Sequence, residues 1–329
     1  MTKLLYAGTT IDMAAGETVL DALLEHDLVI PNNCRIGVCQ SCLMRAVAGD
    51  VPAKAQQGLR DTLKAQNYFL ACQCVPSEPL EIMLPAPDSV RTPVSVVSTQ
   101  RLSPDVLQLR LQPEGVFDYQ AGQYAMLWNP QALGRCYSLA SVPALDDTLE
   151  LHVGRVAGGH MSTYLFDEIK VGDQLQLQAA AGNCFYVAGH PQQNILLAGT
   201  GTGLAPLWGI VREALHQGHR GEIHLIHGAI RASGLYLHDR LLELARKYDN
   251  FFYHASVLEG DELPAQARLV SIESLVARVA PKPKDWKIYL CGAEVLVNSL
   301  KKKVFLAGAS MANIYSDPFV SANDANNAA

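Results

Sequence analysis

The spacing of apolar residues changes twice along the chain, and each change marks a different kind of structure. Residues 4–13 alternate around Ala7-Gly8 and read as a hairpin. Gly16-Glu17-Thr18 then leads into Val19, Leu20, Leu23 and Leu24, which share one helical face. Thr18 is the expected N-cap, with Asp21 three residues on as a short-acid capping box. Strands are predicted over 43–48 and 80–84, with the apolar run 68–71 between them. A hairpin, a helix and further strands make a small α+β unit over residues 1–88. Pro85-Ala86-Pro87 and Pro93 mark a stiff linker.

From Val94 onward the pattern is alternating: Val94 and Val96, then Val106, Leu107, Leu109 and Leu111 interleaved with Gln and Arg. Further strands are predicted over 124–128 and 149–153. Short strands with frequent turn signals predict a β-barrel or sandwich spanning 94–190. After His190-Pro191 the runs become continuously apolar. Residues 194–198 suit a buried parallel strand. Helices over 205–217, 235–248 and 271–279 alternate with strands over 222–227, 251–256 and 287–290. This alternation predicts an α/β unit with a parallel sheet over 191–320. The small, polar tail 321–329 reads as frayed and disordered.

Composition narrows the class. At 329 residues the chain has room for two or three domains. A net charge of −6 argues against a nucleic-acid partner. The most apolar stretch, 195–211, is broken by Gly199, Gly201, Gly203 and Pro206, so it reads as strand–turn–helix and no membrane span is expected. Eight cysteines without an apolar leader, three of them in one loop, do not form a disulfide framework; a reducing, cytoplasmic setting is expected.

That loop is Cys34-x4-Cys39-x2-Cys42, with Cys72 following the apolar run. It is the plant-type [2Fe–2S] ligand spacing. Gly37 allows the tight turn it needs. Cys74 offers an alternative fourth thiolate; Cys72 is preferred. Structural zinc is the rival, but only Cys39-x2-Cys42 resembles a zinc knuckle. No histidine nearby supports a Rieske centre.

Gly199-Thr200-Gly201-Thr202-Gly203 joins a buried strand to a helix, which suits close approach of a phosphate to the backbone and helix N-terminus. It departs from the dehydrogenase fingerprint, because Pro206 takes the third glycine slot. Arg135-Cys136-Tyr137-Ser138 combines a pyrophosphate clamp, a stacking ring and a hydroxyl. Gly158-Gly159-His160-Met161-Ser162-Thr163 opens a helix predicted over 164–169, a second anion-binding candidate.

Together these residues resemble the ferredoxin–NADP+ reductase superfamily over nearly the whole chain. With an N-terminal ferredoxin they resemble the oxygenase reductase components of the naphthalene dioxygenase and methane or phenol monooxygenase kind. The resemblance implies a β-grasp ferredoxin, an FAD-binding β-barrel and an α/β nucleotide-binding domain with a parallel sheet. It implies FAD contacts at Arg135, Tyr137, Ser138, Gly159, Met161, Ser162 and Phe319, and NADH contacts at Gly199, Thr200, Gly201, Thr202, Gly203, Arg231, Cys291 and Gly292. Ser138 and Cys291 would be the catalytic residues, and Cys34, Cys39, Cys42 and Cys72 the cluster ligands. Hydride would pass from NADH to FAD, then single electrons through [2Fe–2S] to a terminal oxygenase or an intermediate ferredoxin.

Three departures stand out: Gln40 replaces a usual glycine, Cys136 a frequent proline, and Asp317-Pro318-Phe319 the more usual Glu-x-Phe ending. Arg231 and Ser233 would also suit NADPH, although family members with N-terminal clusters mostly use NADH. The alternatives are a reductase for a cytochrome P450 or a stand-alone ferredoxin, and, in another class, a non-catalytic flavin-fold sensor.

Overall fold

The computed structural model describes residues 2–28, 30–32, 34–38, 40–59, 61–85, 91–260 and 262–319. Cys39, residues 86–90 of the expected linker and the expected tail lie outside them. β1 (Thr2–Tyr6) and β2 (Thr9–Met13) form the hairpin, turning at Ala7 and Gly8 with φ of 48° and 81°. α1 (Val19–Glu25) starts at Thr18, whose hydroxyl accepts the Asp21 N–H at 3.2 Å. β3 (Leu43–Ala48), β4 (Tyr68–Leu70) and β5 (Leu80–Met83) complete a sheet in the order β2-β1-β5-β3-β4. β1 and β5 run parallel, so the chain between them must cross over. α1 and the cysteine loop lie in that crossover. The buried face of α1 packs into one core with Leu4, Ile11, Phe69 and Leu80.

The second sheet is antiparallel: β6 (Arg91–Ser103), β7 (Val106–Pro113), β8 (Tyr124–Trp128), β9 (Gly134–Ser138), β10 (Leu149–Gly154) and β11 (Gln174–Gln178) in the order β10-β7-β6-β11-β8-β9. A bridge between Leu139 and Leu151 joins the two edges, so the sheet closes. Closure removes exposed edges and encloses Val94, Val96, Leu109, Leu127, Leu151 and Leu177. Pro93 is not linker: it sits inside β6, opposite Gln176. α2 (His160–Thr163) begins before the position predicted for it and continues as a wider turn through Tyr164–Glu168. The cause is Ser162, whose hydroxyl ties Val156 and Gly159 and so starts the helix at the glycine pair.

The third sheet is wholly parallel, in the order β15-β14-β13-β12-β16-β17, from β12 (Ile195–Thr200), β13 (Ile223–Ala229), β14 (Phe251–Val257), β15 (Ala267–Leu269), β16 (Lys287–Ala293) and β17 (Ile314–Phe319). Helices α3 (Leu204–His216), α4 (His238–Lys247), α5 (Ile272–Val279) and α6 (Glu294–Leu306) cover both faces. Successive strand residues face opposite sides. Ile195 and Leu197 therefore join α3 and α4, while Leu196 and Ala198 join α5 and α6. Double burial explains the continuous apolar runs.

α4 starts three residues later than its apolar phase predicted, because Leu237 takes φ 57°. The preceding Tyr236 is instead buried, its hydroxyl 3.2 Å from His152 Nδ1 on β10. The barrel and the parallel unit also meet at Arg212, which holds Asp146 through two contacts of 2.8 Å. Gly209 of α3 completes this seam: a Cβ there would lie 3.2 Å from Ala140 O.

Candidate functional site

Strand order in the parallel sheet reverses at β12. From it the chain builds outward through β13 to one side, and later through β16 to the other. Such a switch leaves a crevice at the carboxyl ends of the strands. The Gly199–Gly203 turn sits there, and packing requires glycine at Gly199 and Gly203, whereas Gly201 is glycine for its φ of 52°. A Cβ on Gly203 would lie 2.4 Å from Cys291 O, and one on Gly199 would lie 2.9 Å from the same atom. Gly292, at φ 124°, brings its own Cβ position to 3.0 Å from Thr200 O. Gly199, Gly203, Cys291 and Gly292 are thus one block of close-packed main chain.

Beside that block lies a cavity of about 1000 Å³. Thr200, Gly201, Thr202, Arg231, Ser233 and Phe319 line it from the parallel unit, and Asp105, Gly154 and Arg155 from the barrel. Phe319, expected at the flavin, therefore faces this cavity too. Arg155 was missed by the sequence reading, although an arginine just before Gly158-Gly159 was a visible signal. Its guanidinium is held by Asp167 at 2.6 Å. Arg231 pairs with Glu259 at 3.6 Å, both side chains being exposed. Glu259 is fixed there by its N–H, which donates to Ile230 O at 2.8 Å.

Arg135, Tyr137 and Ser138 stand on β9. They do not line the cavity; they follow one another along the barrel wall, opposite Leu127, Ala125 and Tyr124 of β8. Burial pushes the Tyr137 phenol up, so the ring stays neutral and apolar. Ser138 is buried. The Gly159–Ser162 group behaves differently from expectation. Met161 points into the barrel core, and the Ser162 hydroxyl is engaged with Gly159 and Val156 main chain. What these two offer a ligand is backbone, not side chain.

Cys291 is buried, and its Sγ lies 3.6 Å from that of Cys184 in the barrel unit. Burial, then the neighbouring Cys184 thiol, push its own thiol up. Asp317 stands opposite Cys291 in the β16–β17 ladder. Burial raises its carboxyl to about 7, and its Oδ2 has no hydrogen-bond partner.

In the first unit Cys42 and Cys72 are neighbours: the Cys72 N–H donates to Cys42 Sγ at 3.4 Å. Contact with Cys42 is the main cause that brings the Cys72 thiol down to about 7, against the opposing effect of burial; Gln73 adds to it, with Nε2 at 3.7 Å from Cys72 Sγ. Cys74 is fully buried, and burial pushes its thiol up to about 12. Arg35, Gly37 and Gln40 all have positive φ, of 53°, 79° and 57°, which coils the loop tightly. Gly37 also leaves room for Gln73, whose Cγ would lie 2.7 Å from a Cβ there. Among the described residues no three histidine, cysteine or carboxylate side chains converge on a single metal ion. None of their helices is long and apolar enough to cross a membrane.

Three family descriptions match in the same order as the three sheets: a 2Fe-2S iron-sulfur cluster binding domain over residues 5–77, an oxidoreductase FAD-binding domain over 93–186 and an oxidoreductase NAD-binding domain over 197–302. The chain is 30% identical to the ferredoxin–NAD(P)+ reductase component of naphthalene 1,2-dioxygenase/salicylate 5-hydroxylase systems from Ralstonia, over 94% of this chain and 95% of that one. It is 28% identical to the phenol hydroxylase P5 protein of Acinetobacter pittii, over 96% and 93%. Among solved structures, the Amycolatopsis cytochrome P450 reductase superposes with a TM-score of 0.69 at 28% identity, covering 98% of this chain and 99% of that one. With its three sheets in this order and its similarity running end to end, the chain belongs to the ferredoxin–NAD(P)+ reductase-like oxygenase reductases that carry an N-terminal 2Fe-2S ferredoxin domain, and is an oxidoreductase of that type.

Proposed function

We propose that this chain draws electron pairs from NADH and delivers them singly to the oxygenase component of an aromatic-degrading system, or to that component's ferredoxin. The observation that carries the reading is the cavity at the β12–β16 switch point, walled on one side by the barrel. A dinucleotide lying there would be gripped by both units at once. The relatives named above support the delivery end of the route.

The residues fit the groups this function needs. Cys42 and Cys72 form a close thiol pair. With Cys34 and Cys39 they would supply the four thiolates that a [2Fe–2S] cluster takes. Arg135 would clamp the FAD pyrophosphate, Tyr137 would stack on its ring system, and Ser138 would hydrogen-bond the ring edge. FAD supplies the exchange between two-electron and one-electron chemistry, and [2Fe–2S] supplies one-electron carriage.

The chain's own residues orient and insulate. The Gly201–Gly203 turn opens the long helix α3, and the positive end of that helix would favour a pyrophosphate. Cys291 and Gly292 hold the turn at close quarters. Asp317, whose carboxyl burial raises to about 7, stands opposite Cys291, where it would take up or release a proton near neutral pH.

Glu259 beside Arg231 supports NADH, because a carboxylate repels a 2′-phosphate. The cavity positions of Arg231 and Ser233 favour NADPH as the second reading. Steady-state kinetics with each nucleotide, together with anaerobic EPR after NADH addition, test the proposal. A flavin band that bleaches with NADH and a half-spin iron–sulfur signal are expected. A colourless protein that retains zinc and no labile sulfide overturns it.

A further inference from the structure

Two side chains of the barrel hold the main-chain carbonyls on either side of Cys39. Tyr124 Oη donates to Val38 O at 2.6 Å, and Gln178 Nε2 donates to Gln40 O at 3.3 Å. These bonds join residues 86 and 138 positions apart in the chain. They come from different strands, β8 and β11, which neighbour each other in the barrel. The loop is therefore gripped at two points, not touched at one.

Tyr124 is built to hold still. Its side chain is buried, and its main chain exchanges hydrogen bonds of 3.0 and 2.8 Å with Ala181. Its ring lies against Gly182, where a Cβ would stand 2.8 Å from Tyr124 Cε1. In the β8–β9 ladder Tyr124 is paired with Ser138. Directly paired residues of antiparallel strands face the same side. One side chain thus spans the gap between the strand expected to touch FAD and the loop expected to carry the cluster. Gln40 contributes as well. It stands where glycine is usual, at φ 57°, and its carbonyl is turned to Gln178.

We propose that Tyr124, assisted by Gln178, is a positioning residue that clamps the cysteine loop onto the barrel and sets the separation over which single electrons leave FAD for the cluster. This rests on the electron-transfer reading given under Proposed function.

The test uses the full-length holoprotein and the variants Tyr124→Phe and Gln178→Leu. Hydrogen–deuterium exchange of peptides covering residues 34–42 reports the clamp without any turnover. Loss of one hydrogen bond should speed exchange there by roughly threefold to tenfold. Anaerobic mixing with NADH separates the later steps. Flavin bleaching should keep its wild-type rate, while the following cluster-reduction phase slows by a similar factor. KM for NADH should stay unchanged, and turnover with a one-electron acceptor should fall. Wild-type exchange in both variants overturns the clamp. Faster exchange with an unchanged second phase overturns its part in electron passage. If the wild-type protein itself bleaches its flavin without reducing the cluster, the electron-transfer reading fails, and the exchange data still judge the clamp.

Discussion

Replacing Gly203 by alanine tests the close packing on which the nucleotide site depends. The added Cβ would meet Cys291 O at 2.4 Å, Cys291 C at 2.7 Å and Gly292 Cα at 2.8 Å. All three are main-chain atoms, so no side chain can swing aside. Bringing the first contact to an ordinary ~3.4 Å requires the start of α3 and the end of β16 to part by about 1 Å. Overpacking of this kind costs about 1–3 kcal/mol, and rigid neighbours place this site at the upper end. That corresponds to a fall of roughly 6–12 °C in the melting of the parallel unit.

Gly201→Ala is the control. Gly201 has φ +52° and no heavy atom within 4 Å of its Cβ position. Its cost is backbone strain alone, about 1 kcal/mol. Calorimetry of the holoprotein and NADH kinetics read both variants. Gly203→Ala should lose stability and more than about tenfold in kcat/KM, since a 1 Å misplacement has effects of that order. Gly201→Ala should mainly raise KM, because it adds bulk inside the cavity. A Gly203→Ala protein that melts with the wild type and keeps its kcat/KM would refute the reasoning.

Three further outcomes are expected. Cys72→Ala should abolish iron and labile-sulfide binding, whereas Cys74→Ala should retain both and lose only about 1 kcal/mol of packing; metal and sulfide assays distinguish them, and loss of the cluster in Cys74→Ala would exchange their roles. Asp317 has its carboxyl raised from 3.8 to about 7 by burial. The folded chain alone keeps this proton between those values, so stability should fall as pH rises from about 4 to 7 and level off above. Asp317→Asn should remove that slope, an effect on the order of a few kcal/mol; urea midpoints at acid and alkaline pH check it, and parallel wild-type and variant profiles contradict it. Glu259→Gln should raise the kcat/KM ratio of NADPH to NADH by roughly twofold to fivefold, the scale of an exposed charge pair; an unchanged ratio removes Glu259 from nucleotide choice.

Much of the fold was legible because its signals are local. Thr18 and Asp21 announced a helix start, and the Ile195–Thr200 run announced a doubly buried strand. The cysteine loop and the glycine turn were legible for the same reason: each packs several chemically special residues into a few positions. Legibility failed where a side chain's fate depends on what packs against it. Met161 and Ser162 read as side-chain ligand contacts, yet Met161 faces the barrel core and the Ser162 hydroxyl serves the turn, so what they offer a ligand is main chain. Leu235, Tyr236 and Leu237 carry a helical phase, yet α4 waits until His238, since Tyr236 is drawn to His152 across the seam.

By itself the sequence determined the kinds of structure and their order along the chain: an α+β unit with a thiol loop, alternating strands, then parallel strands with helices. Those follow from hydrophobic period, turn residues and capping, which act between near neighbours. Only the tertiary structure decided which surfaces meet. Closure through Leu139 and Leu151, the pairing of Cys184 with Cys291, and the hold of Tyr124 on Val38 all join positions remote in the chain. Such contacts arise when separate apolar faces are buried together, and burial is non-directional. No local pattern specifies them; they are selected by the one arrangement that closes the barrel, covers the parallel sheet and satisfies the polar groups left between.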